Sequence, residues 1–273
     1  MENKRILYIS QEIHPYLPEN TISRTALALP KKMNEIGNHV RVFMPRFGVV
    51  NERRHQLHEV IRLSGINIVV NDIDMPLIIK VASVPQARMQ VYFIDNDEYF
   101  KRKATVYDEG KKLFADNDER TVFFSKGVIE TVKKLGWKPD IIHIHGWMPS
   151  LVPLYLKIFN HDDPLFADAK IVYSVYGNGF EGSLGKNLKN SLEFDEVEQE
   201  HLKWFDQPTY IDLNKAAIDF ADAVVKGQAE IDPEIEAYVK EKGLPYFDGS
   251  NLIESPEDIM ELYKEVLVEE SVA

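Results

Sequence analysis

The chain reads as a single α/β domain built on a doubly wound, mostly parallel sheet, and three observations predict this. Short β-branched or aromatic runs alternate with longer amphipathic stretches. The runs are compactly apolar, as strands covered on both faces are. At 273 residues, with 44% hydrophobic and 28% charged residues, the chain is large enough to bury roughly three quarters of its unfolded surface in one core.

The elements follow in order. Ile6-Leu-Tyr-Ile-Ser10 is the first strand. Residues 21 to 36 place Ile22, Ala26, Leu29, Met33 and Ile36 on one helical face, with Gly37 where a helix stops. His39 to Met44 is the next strand and completes a βαβ unit, which is right-handed. Val60 to Leu63, Ile66 to Val70, Leu77 to Val81 and Val91 to Ile94 are strand candidates separated by turn residues. Helical periodicity returns from Glu119 to Leu135. Asp140 to His145 and Lys170 to Tyr176 read as central strands, with a helix near 149 to 159 between them. A helix at Asn214 to Phe220, a strand at Ala223 to Val225 and a helix starting at Asp232-Pro233 follow. Pro245 to Gly249 is turn-like. From Ser255, an apolar stripe of Ile259, Leu262, Tyr263, Val266 and Leu267 marks an amphipathic helix. We divide the chain into residues 1–245 and a C-terminal segment, 246–273, whose helix docks on the same domain or, alternatively, on a partner.

Composition also excludes. A formal net charge of -12 argues against a nucleic-acid surface and against anionic membranes. Without cysteine there is no disulfide, thiolate nucleophile or zinc-thiolate site. No apolar run reaches the ~18 residues of a membrane span, and a cytoplasmic location is expected. No metal site, cofactor or catalytic residue is assigned, and the oligomeric state is open. No G-x-S-x-G, P-loop or G-x-G-x-x-G motif points to another small-molecule enzyme.

Four ordered blocks carry a family resemblance. They are Ile6 to Glu12 with Pro15, Leu29-Pro30 and Gly37 to Arg46; Phe93-Ile-Asp-Asn96 with Tyr99-Phe100; Asp116-Asn117 with Arg120 and Phe123-Phe124; and Pro139 to Trp147 with Pro153 to Lys157. A weaker fifth runs from Lys215 to Val225. Together they resemble glycosyltransferase family 5, the ADP-glucose-using glycogen and starch synthases. That resemblance implies the N-terminal, Rossmann-like half of a GT-B glycosyltransferase. It implies α-1,4-glucan (glycogen) biosynthesis from ADP-glucose, with the active site closed by a second, donor-binding domain that these residues do not contain.

The departures concern the expected chemistry. Where the family has K-T-G-G-L, with its lysine and glycine backbone against the donor's phosphates, this chain has Pro18-Glu-Asn-Thr-Ile22. The family's H-x-H-D-W-H becomes His143-Ile-His-Gly-Trp-Met148, so the aspartate is Gly146 and the last histidine is a methionine, which supplies no strong hydrogen bond. The family's V-H-N-x-x-Y-Q-G is echoed by Val172 to Asn178 without its histidine and asparagine.

Asp116, Asn117, His145, Trp147 and Tyr176 are the candidate substrate-binding residues, each with a plainer alternative. Asp116, Asn117 and Arg120 also suit a helix N-terminus with an ion pair. His143 and His145 share one face of a strand and also suit a structural pair. Trp147, Tyr173 and Tyr176 are either a sugar-stacking platform or packing. Two functions are expected: a synthase-like domain that is catalytically degenerate on its own, or a non-catalytic α-glucan-binding or regulatory protein of glycogen metabolism. The partners implied are an α-glucan and a separate donor-domain or glycogen-metabolism protein.

Overall fold

A computed structural model describes residues 1–84, 87, 89–177, 179–185 and 187–268. Asn178, the last residue of the Val172 to Asn178 echo, lies outside the described residues.

The first half contains β1 (Arg5–Ser10), α1 (Thr21–Glu35), β2 (His39–Pro45), α2 (Glu52–His55), β3 (His58–Glu59), β4 (Ile66–Val70), β5 (Ile73–Val84), β6 (Met89–Asp95), α3 (Asp97–Phe100) and α4 (Asn117–Leu135). The second half contains β7 (Ile141–His145), α5 (Val152–Phe159), β8 (Lys170–Val175), α6 (Asn187–Phe194), α7 (Tyr210–Asp219), β9 (Ala223–Lys226), α8 (Pro233–Lys242), β10 (Tyr246–Asp248) and α9 (Ile259–Val268). The main sheet runs β10-β9-β8-β7-β1-β2-β6-β5-β3, with β4 paired to β5 alone. Every pairing from β10 to β6 is parallel, and β3, β4 and β5 are antiparallel additions at one end.

Strand order reverses direction between β1 and β7. The β1–α1–β2 crossover moves one way along the sheet, whereas β7–α5–β8 and β8–α7–β9 move the other. Right-handed crossovers then put α1 on one face and α4, α5 and α7 on the opposite face. The carboxyl ends of β1 and β7 form the switch point, where open α/β sheets usually bind ligands. Ile6 to Ile9 and Ile141, Ile142 and Ile144 are at most 1% exposed, so the strands at the switch point are the centre of the core.

Two local expectations are corrected. Only His58–Glu59 pairs as a strand; residues 60 to 63 turn instead, with Ile61 82% exposed, although the Val60 amide still donates to the Ile79 carbonyl at 2.8 Å. The turn-like Pro245 to Gly249 segment contains a strand, because Tyr246 and Phe247 find parallel partners in Val224 and Val225. Helix α6 is additional to the elements read from the sequence.

The C-terminal helix lies against the same sheet. Ile259, Leu262, Tyr263 and Val266 are at most 3% exposed, and the Tyr263 hydroxyl reaches Tyr8 on β1 at 3.0 Å and His143 on β7 at 2.6 Å. Among the described residues, no helix is long and apolar enough to cross a membrane.

Candidate functional site at the carboxyl edge of the sheet

The switch point is occupied by the chain's own side chains. Gln11, just past β1, donates its backbone N–H to the His145 carbonyl at 3.1 Å, and its Oε1 accepts from the Met148 amide at 3.2 Å. Gly146 takes φ +87°, which a residue with a Cβ rarely adopts, and a Cβ there would meet Gln11 Oε1 at 3.2 Å. Met148 is fully buried.

The N-terminus of α1 is closed in the same way. Asn20 Oδ1 accepts from the Ser23 amide at 2.8 Å, and Ser23 Oγ accepts from the Asn20 amide at 2.9 Å, a reciprocal capping box. Asn20 Nδ2 donates to Glu12. Burial raises the Glu12 carboxyl above its ordinary pKa, against the lowering effect of the Asn20 and Gln11 hydrogen bonds. Glu19, exposed on this turn, adds a second carboxylate. A helix end that would otherwise offer free amides to an anion presents a capped amide and two acids.

His143 and His145 stand side by side on β7 with ring centroids 4.1 Å apart, and both are fully buried. His143 Nδ1 meets the Tyr263 hydroxyl at 2.6 Å, and its Nε2 meets Ser174 Oγ at 2.7 Å. His145 Nδ1 meets the Tyr176 hydroxyl at 2.8 Å, while its Nε2 has no hydrogen-bond partner among the described residues. Burial, and next the neighbouring His145, hold the His143 pKa well below its ordinary value. Burial alone lowers His145 to about 3. Both rings are therefore neutral near pH 7.

Trp147 is 1% exposed and meets Phe180 edge-on at 5.0 Å. Tyr176 is 1% exposed, and its carbonyl accepts from the Tyr210 hydroxyl. Asn117 is fully buried; its Nδ2 donates to the Val106 carbonyl at 2.9 Å and its Oδ1 accepts from Arg120 at 2.7 Å. Asp116 alone of the five is partly open, and it pairs with Arg102 at 2.6 Å rather than with Arg120. Arg120, 1% exposed, lies over Phe47, Phe100 and Phe114 at 5.1 to 5.7 Å, and burial lowers its pKa to about 9. The structure thus brings Trp147, His145 and Tyr176 together beneath the carboxyl edge and sets Asp116 and Asn117 at the start of α4. Four of the five face inward.

What is open at this edge is a groove of about 940 Å³ between the 107–115 loop and the 179–185 loop. Tyr107, Phe114 and Phe180 give it aromatic walls, and Lys112, Glu181 and Ser183 give it polar ones. The buried candidates support it: Trp147 backs Phe180, and Arg102 and Arg120 hold Phe114 at 4.2 and 5.7 Å. A smaller cavity of about 550 Å³ lies near Tyr210 and Gln228 and shares Gly179, Phe180 and Gly182 with the groove. The groove aromatics were missed from sequence, although Phe114 and Phe180 lie within a few residues of the Asp116-Asn117 and Tyr176 signals. Among the described residues, Glu198, Glu200 and His201 bring metal-ligand atoms together, outside the groove lining.

Comparison with known proteins gives the family. Residues 5–245 match the family model of the starch synthase catalytic domain. The chain is 36% identical over 197 residues to a glycogen synthase of Chlorobium limicola, covering 71% of this chain and 40% of that protein. It is 37% identical over 177 residues to one of Chlorobaculum tepidum, covering 64% and 36%. It therefore spans about 40% of the length of such relatives. The catalytic domain of Starch Synthase IV from Arabidopsis thaliana, solved with ADP and acarbose, shares the fold with a TM-score of 0.67 at 19% identity, covering 82% of this chain and 45% of that one. By the extent of the family match and the order of its motifs, this chain belongs to the starch synthase catalytic domain family.

Proposed function

We propose that this is a glycogen or starch synthase-like domain of α-1,4-glucan metabolism that engages the glucan and, on its own, does not transfer glucose from ADP-glucose. One observation carries the reading: the α1 N-terminus is sealed by the Asn20–Ser23 capping box and the Glu12 carboxyl, while the aromatic groove next to Asp116 stays open. A diphosphate approaching α1 meets acids and a satisfied amide, and the leaving group loses the electrostatic stabilisation that transfer needs. A glucan chain asks for aromatic faces and hydrogen-bonding groups, which the groove supplies through Tyr107, Phe114 and Phe180 and through Lys112, Glu181 and Ser183. In this reading Asp116, Asn117, His145, Trp147 and Tyr176 form the glucan site chiefly as its supports, with Tyr107, Phe114 and Phe180 against the sugar.

The sealed helix end favours a second reading equally: a glucan-binding or regulatory protein of glycogen metabolism with no transfer step at all. Under the first reading a separate donor-domain chain completes the active site; under the second the partner is another enzyme of glycogen metabolism. Both carry a cytoplasmic location with them. Calorimetry of the purified chain with maltooligosaccharides and with ADP-glucose tests what they share. Binding of the glucan with ADP-glucose undetectable supports the proposal. ADP-glucose binding at micromolar strength would sink it.

A further inference from the structure

A third cavity, of about 360 Å³, lies in the helix layer between the second half of α4, the end of α5 and β4. That volume is at the lower end of small-molecule pockets, about 300 to 1,000 Å³. Helix α4 starts at the carboxyl edge, and at a rise of ~1.5 Å per residue Lys126 and Lys133 stand more than ~10 Å from that edge. The cavity is separate from the groove, and its chemistry is independent of whatever the groove binds.

Its polar groups come in neutral pairs. Lys126 Nζ donates to Asp195 Oδ1 at 2.6 Å and to the Val69 carbonyl at 2.8 Å. The Tyr155 hydroxyl donates to Asp195 Oδ2 at 2.6 Å. Lys133 pairs with Glu130 at 3.3 Å on the rim. Each lysine of the lining thus has its carboxylate, and a charged ligand would have to break a pair to gain one. A purely apolar ligand would strip water from the Asp195 carboxylate, which has lone pairs left over, and from the remaining Lys126 proton.

The apolar part is aromatic. Phe159 is 41% exposed, with its ring 5.9 Å from that of Tyr155. The next residue, Asn160, donates Nδ2 to the Tyr155 carbonyl at 2.8 Å, which fixes its amide. Its Oδ1 is buried without a partner among the described residues.

Aromatic face, spare acceptor and donor side by side, and no net charge together match one chemistry. We propose that this cavity binds a neutral hexopyranose ring, its C–H face on Phe159 and its hydroxyls on the Lys126–Asp195 pair. The ring is either a free monosaccharide or one unit of a longer saccharide.

Amide-resolved NMR titration of the full chain with glucose, maltose and cellobiose tests this. Shifts at Ile68, Val69, Phe159 and Asn160 are expected, with Phe159→Ala weakening them by about tenfold, the equivalent of about 1.4 kcal/mol. Phe159 is exposed enough for that variant to fold, and its melting curve provides the control. Maltose binding more tightly than glucose marks an α-linked unit, equal affinities mark a free ring, and equal cellobiose binding marks a ring read without its linkage. Shifts confined to the groove, no shifts with any of the three sugars, or an unchanged affinity in Phe159→Ala would overturn the proposal.

Discussion

Tyr263 ties helix α9 to both central strands through its hydroxyl, which meets Tyr8 on β1 and His143 on β7. Removing its hydroxyl in Tyr263→Phe leaves His143 Nδ1 without a partner and takes the Tyr8 hydroxyl's bond with it. Buried orphans cost about 1 to 3 kcal/mol each, so this one-atom change should lower the melting temperature as much as a core truncation does. Thermal denaturation checks it. Two pH effects run in opposite directions at this scale. His143 and His145 stay neutral when folded but take protons near pH 6.5 when unfolded, so both remove stability as pH falls below about 6.5, His145 down to about 3. Asp118, 2% exposed, is pushed up from 3.8 to about 7, chiefly by burial. It keeps its proton when folded, so it removes stability as pH rises through that window. Asp118→Asn should therefore match the parent below about pH 4, gain stability up to about pH 7 and hold that gain above it, as melting curves across pH will show. The sequence made the histidine pair visible through its period-2 spacing, but not its partner. Tyr263 reads as one more apolar position of a stripe, and only the fold brings it 120 residues back to His143.

Elements were legible where periodicity is long and local. Helix α4 carries thirteen buried positions over 19 residues and ends on Gly136 in the left-handed region, so both its stripe and its stop are written in the chain. Helix α1 is legible by the same means despite Pro30 within it. What stayed hidden depends on distant partners. Strand β10 is three residues long and exists through its pairing with β9, and α6 is a short helix whose Ser191, with Asp195 just past its end, is tied to Asn71 and Lys126 from other parts of the chain. Helix α9 is the element most open to test. Fully burying a large aliphatic side chain contributes roughly 1.5 to 3 kcal/mol, and Ile259, Leu262 and Val266 are all buried, beside the Tyr263 hydroxyl bonds. Deleting residues 255–273 should lower the melting temperature by tens of degrees or abolish cooperative folding, since domains have only about 5 to 15 kcal/mol in hand. An unchanged melting curve would mean that α9 serves a partner instead of this domain.

At the scale of the molecule, two separate features bear on transfer, and they can be taken apart. One is local: the turn before α1 carries Pro18, Asn20 and Thr21, with Glu12 drawn in by Asn20. The other is architectural: the part of this chain that matches covers about 40% of such relatives. The fold class and the family were legible because they rest on the order of many weak signals along the chain. The open groove was not, because its walls come from two loops that meet only across the carboxyl edge. If the local feature alone limited chemistry, restoring a cation and flexible glycines with Pro18→Lys, Asn20→Gly and Thr21→Gly would restore transfer. We expect otherwise. Replacing the Asn20 cap by glycine costs only a few tenths of a kcal/mol, so the triple variant should fold. It should bind ADP more tightly than the parent in calorimetry, because an anion then meets a lysine and free helix amides. In a radiolabelled assay with ADP-glucose and glycogen it should still stay at background, as should the parent, since closure against a second domain assembles such a site. Turnover by the parent alone would overturn the reading of this chain as degenerate, whereas turnover by the triple variant alone would place the entire deficit in the α1 turn.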